Sequence, residues 1–213
     1  MAQVEFFTHP HGALEVWGIR VDGVDLRELV ARVTGPLWEP ELLEGEPERT
    51  AEGRARFVLG QHRGLDRHDV PRPFEHFTGR PSAAFREVVG GRSVLLGCPC
   101  GVWECWPLCA RIEVADDTVT WSRFLQPYRR EQWGELPLGP YVFDRAGYEH
   151  SLAHPLRLTA DPLAARLHDA PDGAPQAVAP PDRTGGTGGT DRPRSTDRPS
   201  GTDRPSGLDS TES

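Results

Sequence analysis

Four cysteines fall within twelve residues, in the spacing Cys98-x-Cys100-x4-Cys105-x3-Cys109. Thiolates are the ligands that structural zinc favours, four of them converging on a tetrahedron. An extended backbone at Pro99 sends Cys98 and Cys100 to the same side of the chain, and Gly101 permits a sharp bend behind them. Other features count against a metal site. A one-residue gap is tighter than the usual C-x2-C to C-x4-C pair, and no second well-spaced pair follows. Three chemistries stay open. The first is a metal centre drawing on Cys98, Cys100, Cys105 and Cys109, with zinc as the fitting ion and His62 or His76 as a replacement for one thiol. The second is a redox dithiol of Cys98 and Cys100, whose strained C-x-C disulfide would be oxidising. The third is simple packing of reduced thiols among Trp103, Trp106 and Leu108. No basic residue adjoins the cysteines in sequence to activate a thiolate, and Glu104 opposes it.

The elements that must position these thiols are strands. Ser93 to Leu96 is a short apolar run between Gly91 and Gly97, the pattern of a buried strand. Ala110 to Val114 and Thr118 to Trp121 each alternate apolar with polar residues, with Asp116-Asp117 as the turn between them. That turn sets Val114 opposite Val119 and Ile112 opposite Trp121 on an apolar face, with Glu113–Thr120 and Arg111–Ser122 on the other. A slip of one residue would invert every side chain, so the register is fixed by burial. The same register places Cys109 on the polar face beside Arg111, opposite Phe124.

Earlier in the chain, Val4 to Phe7 and Ala13 to Val21 read as opening strands across a His9-Pro10-His11-Gly12 turn. Asp25 caps a helix with Glu28 three residues on, and Leu26, Leu29, Val30 and Val33 form its apolar stripe up to a stop at Gly35-Pro36. Residues 39 to 52 interleave six glutamates with Pro40, Pro47 and Gly45, an exposed acidic loop. Phe57 to Leu59 reads as a short strand, and His62, His68 and His76 as surface histidines at no defensible ligand spacing. Pro81 to Val89 is a short helix with Phe85, Val88 and Val89 inward and Gly90-Gly91 at its end. Residues 127 to 140 are loop-like, with Tyr128, Trp133 and Leu136 covering an edge. Tyr141 to Phe143 is a strand, and Asp144 caps a last helix to Leu152 in which Phe143 staples on Tyr148.

Composition bounds the classes of function. The net charge is −8, and every basic residue is arginine. An acidic surface lacks the basic patch that phosphate neutralisation requires, so no nucleic-acid partner is expected. No run is long enough to span a bilayer, and the N-terminus has neither a basic n-region nor a cleavage site, so neither a membrane nor export is expected. The expected location is the cytoplasm, where thiols stay reduced and clustered cysteines are read as metal or redox groups before structural disulfides. From 169 to 213 the chain is rich in Pro, Gly, Thr, Asp and Arg, with Thr-Asp-Arg-Pro recurring at Thr190, Thr196 and Thr202. Such a segment has too little to bury to offset its ordering entropy and reads as a disordered tail. No phosphate loop, zincin, nucleophile-elbow or dinucleotide motif is present in a structural context that would support it.

The segments LLGCPCGVWECWPLCARIEV, VTWSRFLQP and GPYVFDRAGYEHSL, from about Ser93 to Leu152, resemble short uncharacterised bacterial proteins of actinobacterial type. These share a C-x-C-G turn, a third cysteine before Trp-Pro-Leu, and a hairpin ending in tryptophan. The resemblance implies no established activity. It assigns the shared pattern to Cys98, Cys100 and Cys105 and leaves Cys109 as an extra.

These readings combine into one α+β domain over residues 1–168, a mostly antiparallel sheet with two or three packed helices, followed by the tail. The function expected is a non-enzymatic binding or interaction module for a protein or small-molecule partner, with Trp103 and Trp106 as anchors and a metal bracing the cysteine turn. A thiol-dependent oxidoreductase using Cys98 and Cys100 is the alternative. An acidic inhibitor or immunity-type protein using the glutamates of 39–52 is a further one.

Overall fold

The computed structural model describes residues 1–42 and 50–168. It shows an α+β fold in which the strands, read from sequence as one sheet, divide into two sheets of four strands. In the first, β1 (Val4–His11) and β2 (Leu14–Val21) pair antiparallel from Val4↔Val21 to His11↔Leu14. The strands thus run through the residues expected to turn, and only Gly12-Ala13 connects them. β3 (Val24–Asp25) extends the sheet beside β2, and β8 (Leu156–Arg157) adds to β1 in parallel. The second sheet is β4 (Ser93–Leu96), β5 (Leu108–Val114), β6 (Thr118–Leu125) and β7 (Tyr141–Asp144), each antiparallel to the next.

One apolar cluster joins the two sheets. Phe6, Trp17 and Ile19 of the first lie in it with Val94, Ile112, Trp121 and Phe124 of the second. Side chains of this kind contribute roughly 1.5–3 kcal/mol each when fully buried. Two polar groups inside are satisfied in a chain: the Trp121 indole N–H donates to the Tyr148 hydroxyl at 3.1 Å, and that hydroxyl donates to the Phe77 carbonyl.

The helices depart from expectation where burial outweighs local signals. α1 (Leu26–Leu42) does not stop at Gly35-Pro36 but continues through Pro36 and Pro40. Both prolines face solvent, where water can satisfy the carbonyls they leave unbonded, while Leu26, Val30, Thr34, Trp38 and Leu42 bury one stripe at i, i+4 spacing. Asp25 does cap this helix, its Oδ1 accepting from the Arg27 N–H at 2.9 Å, but Glu28 pairs with Arg166 instead of closing a capping box. Arg27, itself buried, grips Asp25 through Nε and Nη2 and Asp161 through Nη1 and Nη2, all at 2.7–3.0 Å. Phe57 to Leu59 belongs to α2 (Ala51–Leu59) and not to a strand; Thr50 caps α2 by accepting from the Gly53 N–H at 2.9 Å. The acidic loop accordingly shrinks: its first residues extend α1, its last begin α2, and 43–49 lie outside the described residues.

Two histidines read as surface groups are interior. His62 and His76 are buried, and only His68 is exposed. α3 (Pro73–Phe77) carries His76 inward, where Nε2 meets the Val94 carbonyl at 2.7 Å and the ring packs edge-on against Phe77 and Phe85. In α4 (Ala83–Val89), Phe85 and Val89 are buried as expected, but Val88 is 41% exposed; the helix is too short and too shallow to bury a third position. Gly90 ends it in the left-handed conformation. Residues 127–133, read as loop, form a 3-10 turn over Pro127–Arg129 and α5 (Arg130–Trp133). α6 (Arg145–Ala153) is capped by Asp144, and Phe143 packs on Tyr148 with ring centroids 5.6 Å apart, as the pattern required. α7 (Ala164–His168) closes the described chain. The tail expected over 169–213 lies outside the described residues. Among those residues no helix is long and apolar enough to cross a membrane.

Candidate metal centre

The cysteine turn occupies the connection between β4 and β5. Strand β4 ends at Leu96, so Cys98 leaves the sheet just beyond its edge; a 3-10 turn over Trp103–Cys105 then returns the chain to β5. Gly101, at φ +100°, makes the bend that a residue with a side chain rarely adopts, as its position in the sequence suggested. The turn is closed by the Gly101 N–H donating to the Cys98 carbonyl at 3.1 Å and the Cys105 N–H donating to the Val102 carbonyl at 3.1 Å.

This fold brings three of the four sulfurs together. The Sγ atoms of Cys98, Cys100 and Cys105 all lie within 4.8 Å of one another. Tetrahedral zinc with Zn–S near 2.3 Å places its sulfurs roughly 3.8 Å apart, so ligation needs movements of about 1 Å or less. The Cys100 N–H already points at the Cys98 sulfur at 3.4 Å, a contact that stabilises negative charge there. The site is graded in depth: Cys98 is buried, Cys105 half-buried and Cys100 exposed.

Cys109 stands apart from this group. It lies on β5, opposite Leu125 and not Phe124, because β6 carries one extra residue between the pairs Arg111↔Ser122 and Cys109↔Leu125. Arg123, at φ +53°, is the residue that takes up the bulge. Cys109 is consequently not on a polar face. It is fully buried in the same cluster as Leu136 and Leu138, and Leu136 donates its N–H to the Phe124 carbonyl at 2.8 Å. Burial holds its thiol well above the usual cysteine range.

The electrostatics of the three-sulfur group are uneven. Burial, reinforced by Cys100, pushes the Cys98 thiol up to about 12, and burial with the same neighbour raises Cys105. Burial also opposes ionisation of Cys100. The Cys98 thiol, the backbone at Val102, the Cys105 thiol and the Arg63 guanidinium outweigh it, and this thiol falls below its usual range.

Arg63 is the residue that the spacing of the cysteines could not reveal. Thirty-five positions upstream of Cys98, it is buried beneath the turn, with Nε donating to the Cys98 carbonyl at 3.0 Å and Nη2 to the Gly101 carbonyl at 3.2 Å. Nη2 also meets Asp66 Oδ2 at 2.8 Å. Its backbone pairs with Gly97 in both directions, N–H to O at 3.0 and 2.9 Å. The only signal in the sequence was Arg63 and Asp66 at i, i+3, which reads as an ordinary surface pair.

The tryptophans expected to anchor a partner divide. Trp106 is 2% exposed and packs with Trp38 and Trp133 at centroid distances of 5.6 and 6.2 Å, under the Arg129 guanidinium. That cluster, with Val58 and Cys98, forms a second small core beneath the turn. An indole so enclosed has no face left for a partner. Trp103 is half-buried, its ring centroid 4.1 Å from that of Phe85, and a Cβ at Gly97 would come within 3.2–3.3 Å of its Cα and Cβ. Val102 and Tyr128 are exposed nearby in the chain or by contact, Tyr128 through its hydroxyl bond to the Glu104 carbonyl.

In comparisons with known proteins, the chain matches no family profile, no curated protein and no solved structure.

Proposed function

We propose that this protein is a non-enzymatic binding module in which a structural metal, zinc by the softness of its ligands, holds the turn between β4 and β5. One observation carries the reading: three cysteine sulfurs from a single braced turn lie within 4.8 Å of one another. Three thiols gathered by chance packing need no such support. Here Arg63 and the backbone of the turn hold the carbonyls of Cys98 and Gly101 in place before any ion arrives. The metal would pin β4 to β5 at the point where the two apolar clusters meet and so present Val102 and Trp103 on a firm edge. The partner this edge suits is a protein or small molecule with an apolar contact surface. The test is elemental analysis of untagged protein with a free-thiol count. About one zinc per chain with the clustered thiols protected supports the reading; metal-free protein with all four thiols reactive sinks it.

A second reading rests on a different feature of the same turn. Cys100 is exposed and is the thiol most ready to ionise, with Cys98 and Cys105 beside it. That is the arrangement a thiol-dependent oxidoreductase using Cys98 and Cys100 would require. Mild peroxide followed by mass spectrometry separates the two. Loss of two hydrogens across the pair, reversed by a reductant, favours the oxidoreductase; metal-protected thiols that do not react favour the binding module.

A further inference from the structure

Three sulfurs leave one tetrahedral position to fill, and beneath them lies a buried imidazole, His62, whose Nδ1 makes no well-formed hydrogen bond. We infer that His62 supplies the fourth ligand, completing a Cys3His centre with Cys98, Cys100 and Cys105. The inference rests on the metal reading above and adds to it a residue from a different segment of the chain.

A strand bridge brings the two segments together. Arg63 and Gly97 exchange both backbone hydrogen bonds, at 3.0 and 2.9 Å, and form an antiparallel bridge. The bridge is isolated, and continued by one residue outward it would set His62 opposite Cys98 with both side chains on one side. His62 is 6% exposed, and its Nδ1 is buried without a hydrogen-bond partner. Leaving such a group unmade is destabilising, and a role in ligation would offset that cost. The ring lies within hydrogen-bonding reach of the backbone at Gly97 and Trp106, the residues immediately before Cys98 and after Cys105.

His76 is committed to the Val94 carbonyl, Asp66 is held by Arg63, and His68 is exposed. As the ring sits, its nitrogens are not part of the group whose ligand atoms all lie within 4.8 Å. Ligation thus requires the imidazole to turn off the Gly97 and Trp106 backbone toward the sulfurs. A closed four-ligand shell is the form that structural zinc sites take, whereas an open fourth position marks catalytic ones.

The experiment is a Co2+ titration of the full chain, reduced and free of oxygen, with Zn2+ competition for affinity. The wild-type protein is expected to show thiolate-to-cobalt charge transfer together with tetrahedral d–d bands. In His62→Ala the d–d bands should shift. Affinity should fall by at least the roughly 10–100-fold that loss of an outer-shell partner causes, and added imidazole should restore both. His62→Asn, which keeps a polar group against the backbone, guards against a folding defect and should show the same loss, with circular dichroism unchanged. Identical cobalt spectra and affinities in all three proteins would overturn the assignment of His62 while leaving the three-sulfur site standing. A wild-type spectrum that imidazole alters would overturn it too, by showing an open fourth position. Absence of any thiolate–cobalt band in wild type removes both the site and its fourth ligand.

Discussion

Arg63 Nε donates to the carbonyl oxygen of Cys98 at 3.0 Å, from a side chain wholly beneath the cysteine turn. The same guanidinium holds Gly101 and pairs with Asp66, so one residue fixes the turn's shape and balances a buried carboxylate. Arg63→Met should cost about 3 kcal/mol, because it strands Asp66 with one oxygen already unpartnered. It should also weaken metal binding roughly 10–100-fold, as loss of an outer-shell brace does. Urea unfolding and zinc competition measure the two effects; a variant unchanged in both would show that the turn stands without this brace.

Cys109 should be dispensable for metal. Its sulfur lies outside the group formed by Cys98, Cys100 and Cys105. Cys109→Ala should therefore keep the metal content of the parent protein while losing some stability to the cavity, whereas Cys105→Ser should lose the metal. Parallel elemental analysis of the two variants decides it, and metal loss in Cys109→Ala would restore a four-thiolate site.

Trp103 and Trp106 should part company under substitution. Trp106→Ala removes a fully enclosed member of a three-indole cluster and should destabilise by roughly 3–5 kcal/mol. Trp103→Ala removes a half-buried ring packed against Phe85, so the fold should survive with a smaller loss, and any binding through this edge should fall. Denaturant midpoints provide the comparison. If Trp103→Ala alone unfolds the protein, the edge is core and the proposed docking role goes with it.

His76 makes stability depend on acid. Burial lowers its pKa from 6.5 to about 4, so it is neutral in the folded chain at neutral pH. The unfolded chain protonates near 6.5 and the folded chain only near 4. Stability is thus fully present above about pH 6.5 and is lost as pH falls toward 4, where the loss levels off. The difference corresponds to about 3 kcal/mol. Unfolding free energies across that window should fall less steeply in His76→Gln than in wild type; parallel slopes would mean the imidazole is not what titrates.

Elements whose signals are local were legible in the chain. The β5–β6 register from Ile112↔Trp121 to Val114↔Val119 follows from alternation and a two-residue turn, since only one register buries the apolar face. The Asp144 cap and the Phe143–Tyr148 staple are likewise set by neighbours a few residues apart. The gathering of Cys98, Cys100 and Cys105 could be proposed from an extended Pro99 and a bend at Gly101, both properties of single residues. What lay beyond sequence was every outcome in which distant burial overruled a local rule. Trp38 and Leu42 carry α1 past two prolines because they complete a core with Trp106. The bulge at Arg123 moves Cys109 one position along its partner strand. Arg63 and His62 reach the cysteine turn across a strand bridge 34 residues long in sequence, and no periodicity in the chain encodes which residue will lie opposite which once that bridge has formed.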